Sequence, residues 1–109
     1  MGEKPLAMHL FALALLVPAL PAIAADVNLP GARLAASCFS CHGAGGVSTT
    51  TSLPPLAGQS KENLLASLRA YKDGTRTATV MHQLAKGYTD AQLELIASYY
   101  AAQKKSGTP

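Results

Sequence analysis

Apolar positions recur with helical spacing through the second half of the chain. Leu64, Leu68 and Tyr71 fall at i, i+4 and i+7, and Leu93, Ile96, Ala97 and Tyr100 at i, i+3, i+4 and i+7, so each series paints one apolar stripe along a helix. Ser60 suits an N-cap and Gly74 a stop, which predicts a helix over 60–73. Thr89 and Gln92 make a capping box for the other, which the pattern carries to about residue 104, where Lys104 and Lys105 complement the C-terminal dipole. Between the two, residues 78–86 form a short helical segment that carries Met81 and ends at Gly87. Upstream, Pro30 suits a helix start, and 31–37, with Leu34 among small alanines, predict a short first helix running into the cysteines. The polar stretch 43–52 reads as a plain surface loop, whose glycines follow no strand and so form no phosphate cradle. Nothing alternates like a strand and nothing repeats, which leaves one all-α domain without a linker.

The N-terminal segment belongs to a different kind of pattern. Residues 6–20 are almost wholly apolar, follow Lys4 and precede Ala22-Ile23-Ala24, a small-x-small cleavage signal. This is the form of a secretory signal peptide over 1–24, leaving a domain over 25–109. The apolar run is shorter than the roughly 20 residues of a bilayer-spanning helix, so an uncleaved anchor is the weaker reading and no membrane span is expected after cleavage. Glu3 weakens the basic flank, and a start at Met8 would remove Lys4 as well, so the start stays open.

Composition narrows the function classes. The chain has 109 residues, 49% hydrophobic and 14% charged, with a formal net charge of +3. So apolar a chain is no disordered tail, and the lack of charge runs or aromatic-basic interleaving argues against a nucleic-acid module. A domain this small needs a staple beyond its apolar core. Cys38 and Cys41 are too close for a disulfide between them to remove much unfolded-state entropy.

The residue after the second cysteine supplies another role. Cys38-Phe39-Ser40-Cys41-His42 is C-x-x-C-H, the attachment signature of haem c. Two thiols at this spacing can each form a thioether with one vinyl group, and the adjacent imidazole is delivered to the iron. A thioredoxin-like dithiol would need a βαβ context, and structural zinc would need four ligands where one Cys-x-x-Cys pair stands. Beyond the leader Met81 is the only methionine, and with the haem motif in place it is the candidate for the second axial ligand rather than a core filler. His82 competes with it. Adjacent helical positions point about 100° apart, so one of the two faces the iron and the other is expected on the surface.

These residues, with Pro54-Pro55-Leu56-Ala57-Gly58-Gln59 in the middle and Leu95-Ile96-Ala97-Ser98-Tyr99-Tyr100 at the end, resemble a class I c-type cytochrome over essentially the whole chain beyond the leader. The resemblance implies the small all-α fold of that family wrapped around one covalent haem c. It also implies that the carbonyl of a proline before a leucine accepts a hydrogen bond from His42, which points to Pro54 with Pro55 as the alternative, and that Leu56 packs on the haem.

Two subfamilies share further residues. The segment Pro54-Pro55-Leu56-Ala57-Gly58-Gln59, read as Pro-x-Leu-Ala-Gly-Gln, with Tyr71-Lys72-Asp73-Gly74 and Arg76 is similar to one half of the two-haem cytochromes of the c-four kind. Met81-His82-Gln83-Leu84-Ala85-Lys86-Gly87-Tyr88, followed by Thr89-Asp90, is similar to the cytochrome subunit of flavocytochrome c sulfide dehydrogenase, here with one haem motif where the better-known form has two. That resemblance implies an exported, periplasmic electron-transfer subunit taking electrons from an FAD flavoprotein that oxidises sulfide and passing them to a cytochrome or oxidase. The alternative is a freely diffusing carrier of the c-four kind, and a third reading leaves the sixth position open for a ligand. No catalytic residues are expected, since no Ser-His-Asp or paired-carboxylate pattern is present. Glu62, Asp73, Asp90 and Glu94 read as solvated helix faces, and Lys61, Arg69, Lys72, Arg76 and Lys86 either as a docking surface or as ordinary solubilising charge.

Overall fold

The computed structural model describes residues 28–105 together with Met1 and Gly2; the apolar leader and its cleavage signal lie outside the described residues. Five α-helices follow one another: α1 Leu29–Ala35, α2 Phe39–His42, α3 Lys61–Asp73, α4 Met81–Lys86 and α5 Asp90–Ala101. Single 3₁₀ turns occupy Ala36–Cys38 and Ala44–Gly46, and there is no strand among the described residues. Within that same span no helix is long and apolar enough to cross a membrane.

Local signals account for most boundaries. The Ser60 side chain accepts from Asn63 N at the start of α3, and Gly74 closes that helix in the left-handed conformation. Thr89 and Gln92 form the reciprocal capping box expected for α5. At α1 the Asn28 side chain accepts from Gly31 N at 2.9 Å, and Pro30 sits in the first turn, where a missing N–H costs nothing. Three boundaries differ from the sequence pattern. The N-terminal helical run continues through the cysteines to His42, α4 starts at Met81 rather than at residue 78, and α5 ends at Ala101, leaving Lys104 and Lys105 beyond it.

The core is the crossing of α1 and α5, with α3 packed on α5 beside it. Ala35, Leu93, Ile96, Ala97, Tyr100 and Leu64 form its buried cluster. Small residues set the spacing: a Cβ on Gly31 would stand 2.5 Å from the Leu95 carbonyl oxygen and 2.4 Å from the Asn28 side chain. Asn28 itself spans the crossing, since its Nδ2 donates to the Leu95 carbonyl at 3.1 Å. Tyr100, 1% exposed, donates its hydroxyl to the Ala35 carbonyl at 2.8 Å. Burial pushes this phenol above the ordinary tyrosine range, so it stays a neutral donor.

Ion pairs bind the outer surfaces of α3 and α5. Arg69 pairs with Glu94 at 3.1 Å and Lys72 with Asp90 at 2.8 Å, so two carboxylates expected merely to face water are engaged with cations. The hydrogen bond from Lys72 holds the Asp90 carboxyl below its usual range.

Two outcomes follow from this packing. Gly31→Ala is expected to destabilise the haem-loaded protein by about 1–3 kcal/mol, the usual cost of overpacking, read from thermal or urea unfolding. For Asp90 the lowered folded pKa means that its pairing stabilises the fold at neutral pH and is lost as pH falls below about 4 through the depressed value. Unfolding of Asp90→Asn compared with wild type should therefore show a small deficit at neutral pH that closes in acid.

Candidate haem site

The helical run from α1 through the 3₁₀ turn into α2 fixes the geometry of the C-x-x-C-H motif. Right-handed backbone angles at Ala35, Ala36, Cys38 and Phe39 keep the run helical, so Cys38, Cys41 and His42 at i, i+3 and i+4 share one face. Both thiols are free; Cys38 is half-buried and Cys41 exposed. Phe39 turns toward α5, its ring 6.4 Å from that of Tyr99 and packed against the core cluster, while Ser40 is exposed. The two intervening residues thus anchor the motif on one side and leave it open on the other.

His42 is 7% exposed and, apart from Tyr100, the one buried side chain among the described residues that carries a polar group. Its Nδ1 lies 2.9 Å from the Pro54 carbonyl. A carbonyl can only accept, so Nδ1 carries the hydrogen, and in the neutral ring that leaves the lone pair on Nε2. The neighbouring proline carbonyl is committed elsewhere: Pro55 accepts from Gln59 Nε2. Of the two prolines, the one bonded to the imidazole is therefore Pro54.

The segment bearing Pro54 is held by the stretch that looked like a plain loop, and here the structure corrects the sequence reading. Gly43 ends α2, and the Gly46 carbonyl accepts from both Leu56 N at 2.8 Å and Ala57 N at 3.1 Å. Gly46 is buried with a positive φ of 79°, and a Cβ there would lie 2.6 Å from the Tyr100 ring. Gly58 N then donates to the Tyr100 carbonyl at 2.9 Å. Leu56 is half-buried against the core cluster, next to the proline that holds His42. Gly46, Gln59 and Tyr100 were missed as supports of the site. Gln59 had a signal in the Leu-Ala-Gly-Gln string and Tyr100 in the apolar stripe of the last helix, whereas Gly46 had none.

Met81 comes from another element, as the first residue of α4, which packs against α3. It is half-buried. His82 is not on the surface as expected. It too is half-buried, and its Nδ1 is the one buried side-chain nitrogen or oxygen among the described residues without a hydrogen-bond partner. Beside it a shallow depression of about 260 Å³ is lined by Gly74, Arg76, Thr77, Ala78, His82 and Lys86. Arg76 reaches Ser67 Oγ at 2.9 Å and stacks over the Tyr71 ring at 4.8 Å, with no carboxylate partner among the described residues.

The donor set fits haem c. Two free thiols on one helical face, an imidazole with its Nδ1–H committed and its Nε2 lone pair available, and a thioether on a separate helix supply the required chemistry. Among the described residues no group of three or more His, Cys, Asp or Glu is gathered to hold a bare metal ion.

Comparison with known proteins agrees. The cytochrome c family matches residues 29–103. The cytochrome subunit of sulfide dehydrogenase from Chlorobaculum tepidum is 39% identical over 85 residues, covering 78% of this chain and 76% of that protein. The thiosulfate dehydrogenase electron acceptor of Thiomonas intermedia and cytochrome c4 of Pseudomonas aeruginosa are each 43% identical over 76 residues, but the chain spans only 35% and 38% of their lengths. Among solved structures, cytochrome c4 of Acidithiobacillus ferrooxidans superposes with a TM-score of 0.63 at 30% identity, over 72% of this chain and 49% of that one. The chain belongs to the cytochrome c family, an all-α electron-transfer protein whose cofactor is haem c.

Proposed function

We propose that residues 25–109 form a monohaem domain, exported to the periplasm after removal of a leader over 1–24, that serves as the cytochrome subunit of a sulfide-oxidising flavoprotein. The observation that carries the site assignment is the hydrogen bond from His42, at the end of the C-x-x-C-H helix, to the Pro54 carbonyl twelve residues on. In this reading Cys38 and Cys41 form the thioethers, His42 Nε2 is the proximal ligand, Met81 the sixth ligand, and Leu56 packs on the porphyrin. Held by these residues, haem would supply a one-electron iron couple suited to outer-sphere transfer rather than substrate chemistry. The residues around it do the tuning. Pro54 fixes the imidazole orientation and raises its basicity, and the apolar packing of Leu56 and Phe39 limits water at that side.

The partner assignment rests on length as well as likeness, since the sulfide dehydrogenase subunit is matched over most of its length. Of the five cations that could meet a partner, Arg69 and Lys72 are paired within the chain, whereas Arg76 and Lys86 line one depression beside His82. Val80 and Leu84, 55% and 50% exposed, lie at and on the neighbouring α4. A surface of this mixed kind suits a redox protein of opposite charge. The freely diffusing carrier is the second reading, favoured by the higher identity to cytochrome c4 and to the thiosulfate dehydrogenase electron acceptor.

Native purification at low salt separates the two. Stoichiometric flavin co-eluting with haem c, and haem bands that reduce on adding sulfide, are expected for the subunit; haem c alone would move the assignment to the diffusing carrier. At the site, His42→Ala is expected to lose the normal low-spin spectrum. Met81→Ala should keep covalent haem, lower the reduction potential and bind carbon monoxide, and an unchanged potential would refute ligation by Met81.

A further inference from the structure

Tyr88 stands in the short connection between α4 and α5, two residues beyond the end of α4. Its half-buried ring packs against the core cluster, and its hydroxyl lies 2.6 Å from Ser37 Oγ, 51 residues away in sequence. The direction of this bond can be read from its neighbour. Ser37 has one hydroxyl hydrogen and gives it to the Leu34 carbonyl at 3.1 Å, so Tyr88 donates and Ser37 accepts. Ser37 immediately precedes Cys38, with its Oγ 3.9 Å from the sulfur.

The bond has no equivalent elsewhere on the segment that bears Met81. Among the described residues, every other hydrogen bond made by residues 77–88 stays within that stretch or its helix: Gln83 N and Leu84 N donate to Val80, Gly87 N to Leu84 and Tyr88 N to Ala85. Apolar packing on α3 holds α4 from one side, through the buried Ala85 among others. Packing is non-directional and leaves the segment's approach to the haem-attachment helix unspecified. The Tyr88 hydroxyl specifies it. Because Tyr88 N and Gly87 N are bonded back to α4, the ring is coupled to that helix rather than to a free loop.

We propose that Tyr88 is a positioning residue for Met81: its hydrogen bond to Ser37 ties the methionine-bearing segment to the C-x-x-C-H helix and sets how readily Met81 is displaced from the iron. The proposal rests on the reading of Met81 as sixth ligand. An exogenous ligand must separate Met81 from the iron, and any opening that carries α4 and Tyr88 away from the 3₁₀ turn Ala36–Cys38 breaks the Tyr88–Ser37 bond as well.

The test is imidazole titration of the ferric, haem-loaded protein, with the methionine-to-iron charge-transfer absorption and the thermal midpoint recorded on the same samples. Tyr88→Phe and Ser37→Ala are each expected to raise imidazole affinity about two- to tenfold, the fold-change of one net hydrogen bond. The double variant should gain no more than either single change, because both remove the same bond. Ser37→Thr, which keeps the hydroxyl, should return the affinity toward wild type. Unchanged imidazole affinity in Tyr88→Phe and Ser37→Ala, with the charge-transfer band present, would overturn the proposal, and so would a lowered thermal midpoint unaccompanied by tighter imidazole binding. If wild type itself lacks that band, ligation by Met81 fails first and the positioning role falls with it.

Discussion

Tyr100 sits where three otherwise separate parts of the chain meet. Its hydroxyl reaches Ala35 at the end of α1, its ring lies against Gly46 with no space for a side chain between them, and its carbonyl receives Gly58 N. The first contact sets the helix that leads into the cysteines. The other two set the turn and the proline segment that together present the Pro54 carbonyl to His42. A buried phenol hydroxyl without an acceptor would be costly, so each conformation that satisfies it also brings α1 to α5. The geometry of the imidazole thus depends on a residue other than its own hydrogen-bond partner.

The division of charge follows the same economy of contacts. Arg69 and Lys72 on α3 are drawn to Glu94 and Asp90 on α5, where exposed pairing adds little stability but lowers the free positive charge of that face. Among the described residues, positive charge without a carboxylate partner persists at Arg76, in the connection into α4, and at Lys86, the last residue of α4. A net charge that is small over the whole chain is therefore uneven over its surface. Local unevenness, rather than the total, steers one protein onto another.

Much of this was legible in the sequence because it is local. The caps at Ser60 and Thr89, the stop at Gly74 and the apolar stripe of Leu93, Ile96, Ala97 and Tyr100 each depend on residues within a few positions of one another. The chemistry of C-x-x-C-H is likewise carried by five adjacent residues. What escaped depends on distant partners. Gly46 looks like a loop glycine until the Tyr100 ring is placed against it, and His82 looks like a surface histidine until α4 is laid on α3. The choice between Pro54 and Pro55 needed Gln59, whose side chain takes the carbonyl that His42 does not. Helix ends were misjudged where propensity continues past packing: Ala102 and the lysines after Ala101 could prolong α5, yet the chain turns away there.

The contacts that join α1 to α5 also fix an order of events. Asn28 to Leu95 and Tyr100 to Ala35 close loops of 67 and 65 residues, and both partners lie in the last helix. A seven-residue helix has too few turns to persist alone in water. Until α5 has been made, α1 has nothing to dock against and the two thiols belong to an unstructured segment. Modification of Cys38 and Cys41 on such a segment meets no steric obstruction. Once α5 closes the fold, Cys38 is half covered and the same reaction becomes slower.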